Sequence, residues 1–185
     1  MKKSVEQISL AAKNYAEALI EIGQENLISF DKLSSELRDI NDTLNSSPEL
    51  RNVLANPSFT DEVKADVLES IFKDNVDSHL INFLKILISK KRIMEFGEIY
   101  LDFNNKLNDI RNIQPVEVVS AVELDEDTKN RIVQKLNARL GKTVQPEWDV
   151  DEDIIAGITV KINDDVIDMS LKNRIDKLSK SLMLK

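Results

Sequence analysis

The sequence has no cysteine and only one histidine, His79, among its 185 residues. Without cysteine the chain cannot form a disulfide, a thiolate nucleophile or a zinc site with sulfur ligands. One histidine cannot build a metal centre of several imidazoles. His79 stands near a predicted helix start with no serine nucleophile in a recognisable turn, so we expect a surface or capping role for it. The composition therefore excludes several common kinds of catalytic and metal site.

Glycine is also scarce, with four residues that are scattered along the chain: Gly23, Gly97, Gly141 and Gly157. The loops that bind nucleotide phosphates need glycines close together, because the backbone must approach the phosphate. No such loop is present. We therefore expect no nucleotide cofactor.

A surplus of positive charge and a long apolar run are two further absences. The net charge is -8 and the pI is about 4.8, which argues against a nucleic-acid-binding protein. The longest apolar-rich run, Leu80 to Ile88, is interrupted twice and is far shorter than the ~20 residues that span a bilayer. The first residues lack the apolar segment of a signal peptide. We expect a cytoplasmic protein that reaches a membrane only through a partner.

What the chain does contain is typical of a helix-rich globular protein, with 42% hydrophobic and 31% charged residues. Apolar residues recur every three or four positions up to Ile110, which predicts a succession of helices. Pro48 can open a short third helix, Thr60 can cap the fourth, and Asp77 or Ser78 can cap the fifth. Residues 1–111 are therefore predicted to form an all-helical domain, a six-helix bundle.

The apolar period changes to two after the segment Asn112 to Pro115, which predicts a second domain over residues 112–185. Val116, Val118 and Ser120 share one face of a strand. A helix capped by Asp125 follows and ends at Gly141, where a left-handed cap belongs. Val144, Pro146, Trp148 and Val150 then alternate in a second strand. Because Pro146 cannot donate to a ladder, this strand is predicted to lie at a sheet edge or to carry a bulge.

The closing segment predicts a β-hairpin followed by a helix. Alternation from Ile154 to Ile162 indicates a strand, and the corner Asn163-Asp164-Asp165 suits a tight turn. A helical stripe follows the second strand and consists of Leu171, Ile175, Leu178 and Leu182. The predicted fold class is thus α+β with two domains, the six-helix bundle being followed by a small α/β domain in the order β-α-β-β-β-α.

An acidic cluster between Glu147 and Asp153 is the nearest approach to a metal site in the sequence. It lacks the spacing and the glycine of a calcium loop, so a solvated loop or a contact with a basic partner is the better interpretation. A metal-dependent hydrolase that uses these carboxylates is the enzymatic alternative. We assign no catalytic, cofactor-binding or metal-binding residues.

The fifth predicted helix is unusual because it is apolar on nearly every side. Seven of the nine residues from Leu80 to Ile88 are apolar, whereas a bundle helix normally has one apolar stripe. Either this helix is central to the bundle, or it has a second face for a partner. In the second case it would form a groove with the alanine-flanked first helix for an amphipathic helix of another protein.

Several segments together carry a family resemblance that covers the whole length. The most specific is the closing one, which contains Val150-Asp151, Ile154, Ala156-Gly157-Ile158, Val160-Lys161, Asn163, Val166-Ile167-Asp168 and Ser170. The others are Tyr15-Ala16-Glu17-Ala18-Leu19, Arg92 and Val118-Val119-Ser120-Ala121. On these residues the chain resembles the delta subunit of bacterial F-type ATP synthases, which is similar to the mitochondrial oligomycin-sensitivity-conferring protein. Met169 stands where the family usually has glycine.

The resemblance implies a non-catalytic stator subunit that works in ATP synthesis and proton transport without any cofactor. In the family the helical domain holds the N-terminal helix of an alpha subunit of the catalytic head, in a groove between its first and fifth helices. The small domain meets the C-terminal region of the b subunits in the peripheral stalk. The implied location is the cytoplasmic face of the bacterial plasma membrane, with one copy per complex and a monomer in isolation.

Carried onto this sequence, the implied groove comprises Ala11, Tyr15, Ala18, Ile22, Phe83, Ile86 and Leu87. The sequence does not decide which of these side chains face the partner and which face the core. A generic helical adaptor of another multiprotein assembly is the alternative function.

Overall fold

The computed structural model describes residues 8–73, 75–154, 156–163, 165–171 and 173. This part of the chain is α+β, with seven α-helices and a mixed sheet of four strands. The chain divides into two compact units, and the division falls between Leu107 and Asn108. The first unit is helical and the second contains the sheet.

The helical unit contains α1 (Leu10–Gln24), α2 (Phe30–Ser46), α3 (Pro48–Ala55), α4 (Asp61–Phe72), α5 (Ser78–Ser89), the 3-10 helix Ile93–Glu95 and most of α6 (Phe96–Ile110). The predicted boundaries have the expected local causes. Pro48 is the first residue of α3, and the Thr60 side chain accepts the Val63 N–H at the start of α4. Asp77 rather than Ser78 caps α5. No described helix is long and apolar enough to cross a membrane.

The core of the helical unit is one continuous apolar cluster to which α1 to α6 all contribute. Its largest fully buried side chains are Phe96, Phe103, Leu19, Leu33, Leu37, Ile40, Leu80, Leu84, Leu87 and Ile99. Each such side chain contributes about 1.5–3 kcal/mol relative to leaving it in water. Packing of these amphipathic faces, more than helix propensity, therefore stabilises the unit.

The second unit contains β1 (Ile113–Ser120), α7 (Glu126–Leu140), β2 (Thr143–Val150), the 3-10 helix Glu152–Ile154, β3 (Ile158–Ile162) and β4 (Asp165–Asp168). The strand order is β2-β1-β3-β4. β1 and β2 are parallel, so a crossover must join them, and α7 is that crossover. The other two pairs are antiparallel. As predicted, β2 with Pro146 lies at an edge, Asp125 caps α7, and Gly141 ends it with φ of 65°.

One face of the sheet carries the core of this unit. Val116, Val118, Val144, Val160 and Leu136 are buried together, with Trp148 partly buried against them. Ser120 shares the buried face of β1, as the alternation predicts. The Lys129 ammonium of α7 lies 5.9 Å from the centre of the Trp148 ring, within range of a cation–π contact.

The predicted start of the hairpin is wrong, because β3 begins at Ile158 and not at Ile154. Glu152–Ile154 forms a 3-10 helix instead, and the chain turns at Gly157, whose φ is 102°. A Cβ at Gly157 would lie 2.7 Å from the Met169 carbonyl oxygen, so only glycine fits this turn. The predicted turn is confirmed at Asn163, which has a positive φ. The predicted corner is one residue too long, because Asp165 is the first residue of β4 and pairs with Ile162.

The stripe of the predicted last helix lies mostly outside the described residues. Leu171 is described, whereas Ile175, Leu178 and Leu182 are not.

Candidate partner-binding site

Helices α1 and α5 contact each other in the helical unit through one pair of aromatic rings. The ring of Tyr15 meets the ring of Phe83 edge to face, with centroids 6.0 Å apart and planes at 78°. Ala12 and Ala16 are completely buried, so α1 packs closely on its neighbours through small side chains. The two helices named by the sequence are therefore in contact through these two rings.

The N-terminus of α1 is attached to the start of α6. Ser9 caps α1 by accepting the Ala12 N–H at 3.1 Å. Its hydroxyl donates to Glu95 at 2.9 Å, and its N–H donates to Glu98 at 3.2 Å. Two turns further along, the Lys106 ammonium lies 3.7 Å from the Glu17 carboxylate. These contacts hold α1 alongside α6, with both helices running in the same direction.

Asp102 of α6 is a buried carboxylate beside this α1–α6 contact. Its side chain is 6% exposed, and its Oδ2 atom has no hydrogen-bond partner among the described residues. Burial raises the pKa of Asp102, while the nearby Lys106 and Lys13 act in the opposite direction. The carboxylate lies in the packing between the helices, so it is a structural group and not an accessible acid.

The N-terminus of α5 is fixed by a polar network around Asp77. Its carboxylate accepts the His79 N–H at 3.1 Å and lies 2.8 Å from the Lys32 ammonium. The Asp77 N–H donates to Glu36 on α2 at 2.8 Å. The hydrogen bonds from Lys32 and His79 hold the pKa of Asp77 well below its usual value. The His79 ring is exposed and its Nδ1 lies 2.8 Å from Asp77, which agrees with a surface histidine beside the cap.

Most of the apolar side chains of α5 belong to the core. Leu80, Phe83, Leu84, Leu87 and Ile88 are all buried. Ile81 is half-buried, and Ile86 is 49% exposed. The central position of α5 therefore explains most of its unusual composition, and Ile86 is its apolar residue on the outward face.

The seven residues implied by the family resemblance thus fall into three classes. Ala18 and Ile86 are exposed, and Ala11, Tyr15 and Ile22 are half-buried. Phe83 and Leu87 are 7% and 0% exposed and lie in the core, so a helix docked on the surface would not reach Leu87.

The outward face of α5 also carries polar residues that are not among the seven residues predicted from the sequence. His79, Asn82 and Ser89 are exposed along with Ile86. Their spacing of three and four residues places them on the helix face opposite the buried stripe. The same spacing in the sequence could have predicted that these residues share a face. We define the α1/α5 surface as Ala11, Tyr15, Ala18, Ile22, His79, Asn82, Ile86 and Ser89.

The sheet unit has exposed apolar side chains of its own. They are Ile110, Val122, Val150, Val166, Met169 and Leu171. Glu147 and Asp149, from the acidic cluster, lie on the face of β2 opposite the core. In the described part of the chain, no three histidine, aspartate or glutamate side chains come together in a way that could hold a metal ion.

Comparisons with known proteins give one consistent result. The family model for the ATP synthase delta (OSCP) subunit matches residues 11–182. The chain is 31% identical to ATP synthase subunit delta of Chlorobaculum tepidum over 175 residues, which covers 95% of this chain and 96% of the relative. It is 38% identical to ATP synthase subunit delta of Lachnoclostridium phytofermentans over 175 residues, with 94% and 95% covered.

The fold is also similar to that of a solved chain. A cryo-EM structure of the Toxoplasma gondii mitochondrial ATP synthase hexamer contains a chain that matches with a TM-score of 0.69 and 18% identity. The match covers 95% of this chain and 98% of the other. At this identity the likeness concerns the fold. The match of the family model over nearly the whole length, together with these relatives, shows that the chain belongs to the ATP synthase delta (OSCP) subunit family.

Proposed function

We propose that this chain joins two parts of an F-type ATP synthase, with one partner at each unit. The helical unit holds the N-terminal helix of an alpha subunit, and the sheet unit meets the C-terminal region of the b subunits. As a member of its family, the chain is a non-catalytic stator subunit of the ATP synthase that links the catalytic head to the peripheral stalk. It keeps the head from turning with the rotor, which couples proton-driven rotation to ATP synthesis.

The observation that supports the first contact most directly is Ile86. It is half exposed on a helix whose other apolar residues are buried or half-buried. The neighbouring α1 presents the exposed Ala18 and the half-buried Tyr15 and Ile22. Small and apolar side chains at these positions suit an amphipathic helix laid along the surface. A specific complex of this kind buries about 1,000 Å² or more in total.

The proposed organisation keeps the domain assignment made from the sequence. Residues 1–111 would form a six-helix bundle that binds the head, and residues 112–185 would form the domain that binds the stalk. Support comes from the two separate apolar clusters, each confined to one unit. Two contacts through one chain add avidity when both can engage together. The chain would act as one copy per complex, bound peripherally at the cytoplasmic face of the bacterial plasma membrane.

The test is a substitution at Ile86, the exposed isoleucine of the α1/α5 surface. Ile86→Asp places a charge in the contact and should weaken binding of an alpha-subunit N-terminal peptide at least about tenfold. Binding is measured by calorimetry on the full chain, and far-UV circular dichroism confirms that the helices remain. Ile71→Asp is the matched control, because Ile71 of α4 is 41% exposed but lies outside the α1/α5 surface.

Two results would contradict the proposal at different levels. Equal loss of affinity in both variants, or none in either, would remove the α1/α5 surface as the site. Failure of the unchanged chain to bind any alpha-subunit or b-subunit peptide would favour the generic helical adaptor instead.

A further inference from the structure

Within the described residues, β2 forms one edge of the sheet, and the backbone of this edge decides which molecules can add a strand to it. We propose that Asn137, Pro146 and Asp149 close this edge, so that neither a second copy of the chain nor an extended peptide can add a strand there. The proposal goes beyond the stator role, and it holds whichever subunit meets the sheet unit.

The direction of the backbone amides of β2 follows from its pairing with β1. The Thr143 N–H donates to the Asn112 carbonyl at 3.0 Å, and the Asp151 N–H donates to the Ser120 carbonyl at 2.9 Å. In a parallel pair, alternate residues of a strand form their hydrogen bonds to the same side. Residues 144, 146, 148 and 150 therefore direct their amide positions away from β1, towards the free edge.

Three of these four positions have no free N–H for an incoming strand. The Val144 N–H already donates to the Asn137 side chain of α7 at 2.7 Å. Pro146 has no N–H, and the Val150 N–H donates to the side chain of the adjacent Asp149 at 2.8 Å. Within the described residues, Trp148 is the one position of the four whose outward N–H has no side-chain acceptor.

This arrangement matters because β2 is eight residues long and ends the sheet. A long edge strand with free donors and acceptors is a template for pairing with another chain. The opposite edge, β4, is only four residues long, and the Asp168 carbonyl accepts the Asn173 side-chain amide at 3.0 Å. The short length of β4 limits pairing at that edge. At β2, pairing is instead limited by the two occupied amides of Val144 and Val150 and by the missing amide of Pro146.

The experiment opens the β2 edge in the full chain. Pro146→Thr restores a donor, and Asn137→Ala releases the Val144 N–H. The double variant should form dimers or larger species that increase with protein concentration in analytical ultracentrifugation, whereas the unchanged chain stays monomeric. Amide hydrogen exchange at Val144 should become about five- to tenfold faster, as loss of one hydrogen bond implies.

Gln145→Thr is the matched control, because Gln145 is an exposed neighbour whose amide faces β1. It raises strand propensity without opening the edge and should leave the chain monomeric. If the double variant does not fold, Pro146→Thr with Asp149→Ala opens the edge without touching α7. A folded open-edge variant that stays monomeric at every concentration overturns the proposal. An unchanged exchange rate at Val144 in a folded Asn137→Ala chain overturns it as well.

Discussion

Adjacent residues of α5 have opposite environments. Leu87 is completely buried in the helical core, whereas Ile86 is 49% exposed. Leu87→Ala should therefore lower the free energy of unfolding by about 2–5 kcal/mol, because it leaves a cavity. Ile86→Ala should lower it by about 1 kcal/mol or less. Urea unfolding of the two variants checks this, and similar losses would mean that the helix is rotated relative to the structure described.

Ionisation of the buried Asp102 side chain should lower the free energy of unfolding at neutral pH. Its pKa is raised in the folded chain, chiefly by burial, so the ionised form is disfavoured as pH rises above the unfolded value near 4. Asp102→Asn removes this ionisation at nearly the same shape. The variant should therefore be more stable than the unchanged chain at pH 7, and the difference should shrink below about pH 4. Denaturant unfolding across this pH range would reveal a constant difference if burial of the charge had no effect.

The roles of helix-capping residues could be predicted from the sequence. For the α1/α5 surface, the sequence identified only some of the exposed residues. Thr60 and Gly141 act within one or two turns of themselves, so neighbouring residues suffice to identify them. The apolar residues of α5 have the same chemistry whether they face the core or the solvent. Only the packing of all the helices separates Ile86 from Leu87, and that information is spread over the whole unit.

At the scale of elements, α5 and α7 begin with the same kind of cap in different surroundings. Asp77 caps α5 and also contacts Lys32 of α2, whereas the Asp125 carboxylate accepts the Thr128 N–H at 2.6 Å within its own helix. Asp77→Ala and Asp125→Ala should each cost about 0.5–2 kcal/mol, as lost caps do. Asp77→Ala should cost more, because it also breaks the link to α2. Unfolding of the two variants by urea measures both, and equal costs would show that the link contributes nothing.

The stabilisation by Asp77 should also depend on pH. Its pKa is lowered in the folded chain by Lys32 and His79, so its contribution is complete above the unfolded pKa near 4 and is lost as pH falls towards the folded value. The difference between the unchanged chain and Asp77→Ala should therefore shrink below about pH 4. A difference that persisted in acid would contradict the ion pair seen in the structure.

The start of β3 shows why an element boundary can escape a pattern. Ile154, Ala156 and Ile158 alternate as strand residues do, but the chain turns between them. The cause is the positive φ of Gly157 and its close approach to the Met169 carbonyl, which lies twelve residues further along the chain. Alternation reports the local preference and contains no information about that contact.

At the scale of the whole molecule, the two apolar clusters share no residue. Val118→Ala should therefore destabilise the sheet unit alone, and Leu87→Ala the helical unit alone. Trp148 is the single tryptophan and packs against the sheet core, so its fluorescence follows that unit, while far-UV circular dichroism follows mainly the helices. Thermal unfolding recorded with both probes should show each substitution shifting one signal. A common shift of both would mean that the units unfold together.

The attachment of Ser9 to Glu95 and Glu98 has a mechanical consequence for a subunit that must resist rotation. A force on the start of α1 is transmitted directly to Glu95 and to Glu98 in the first turn of α6 through these hydrogen bonds. It does not have to pass through the four α-helices that lie between α1 and α6 in the sequence. From α6 the tension continues along the covalent backbone, since β1 begins only three residues after Ile110. A force on the start of α1 therefore has a direct route to the sheet, which runs through α6 and the short segment that leads into β1.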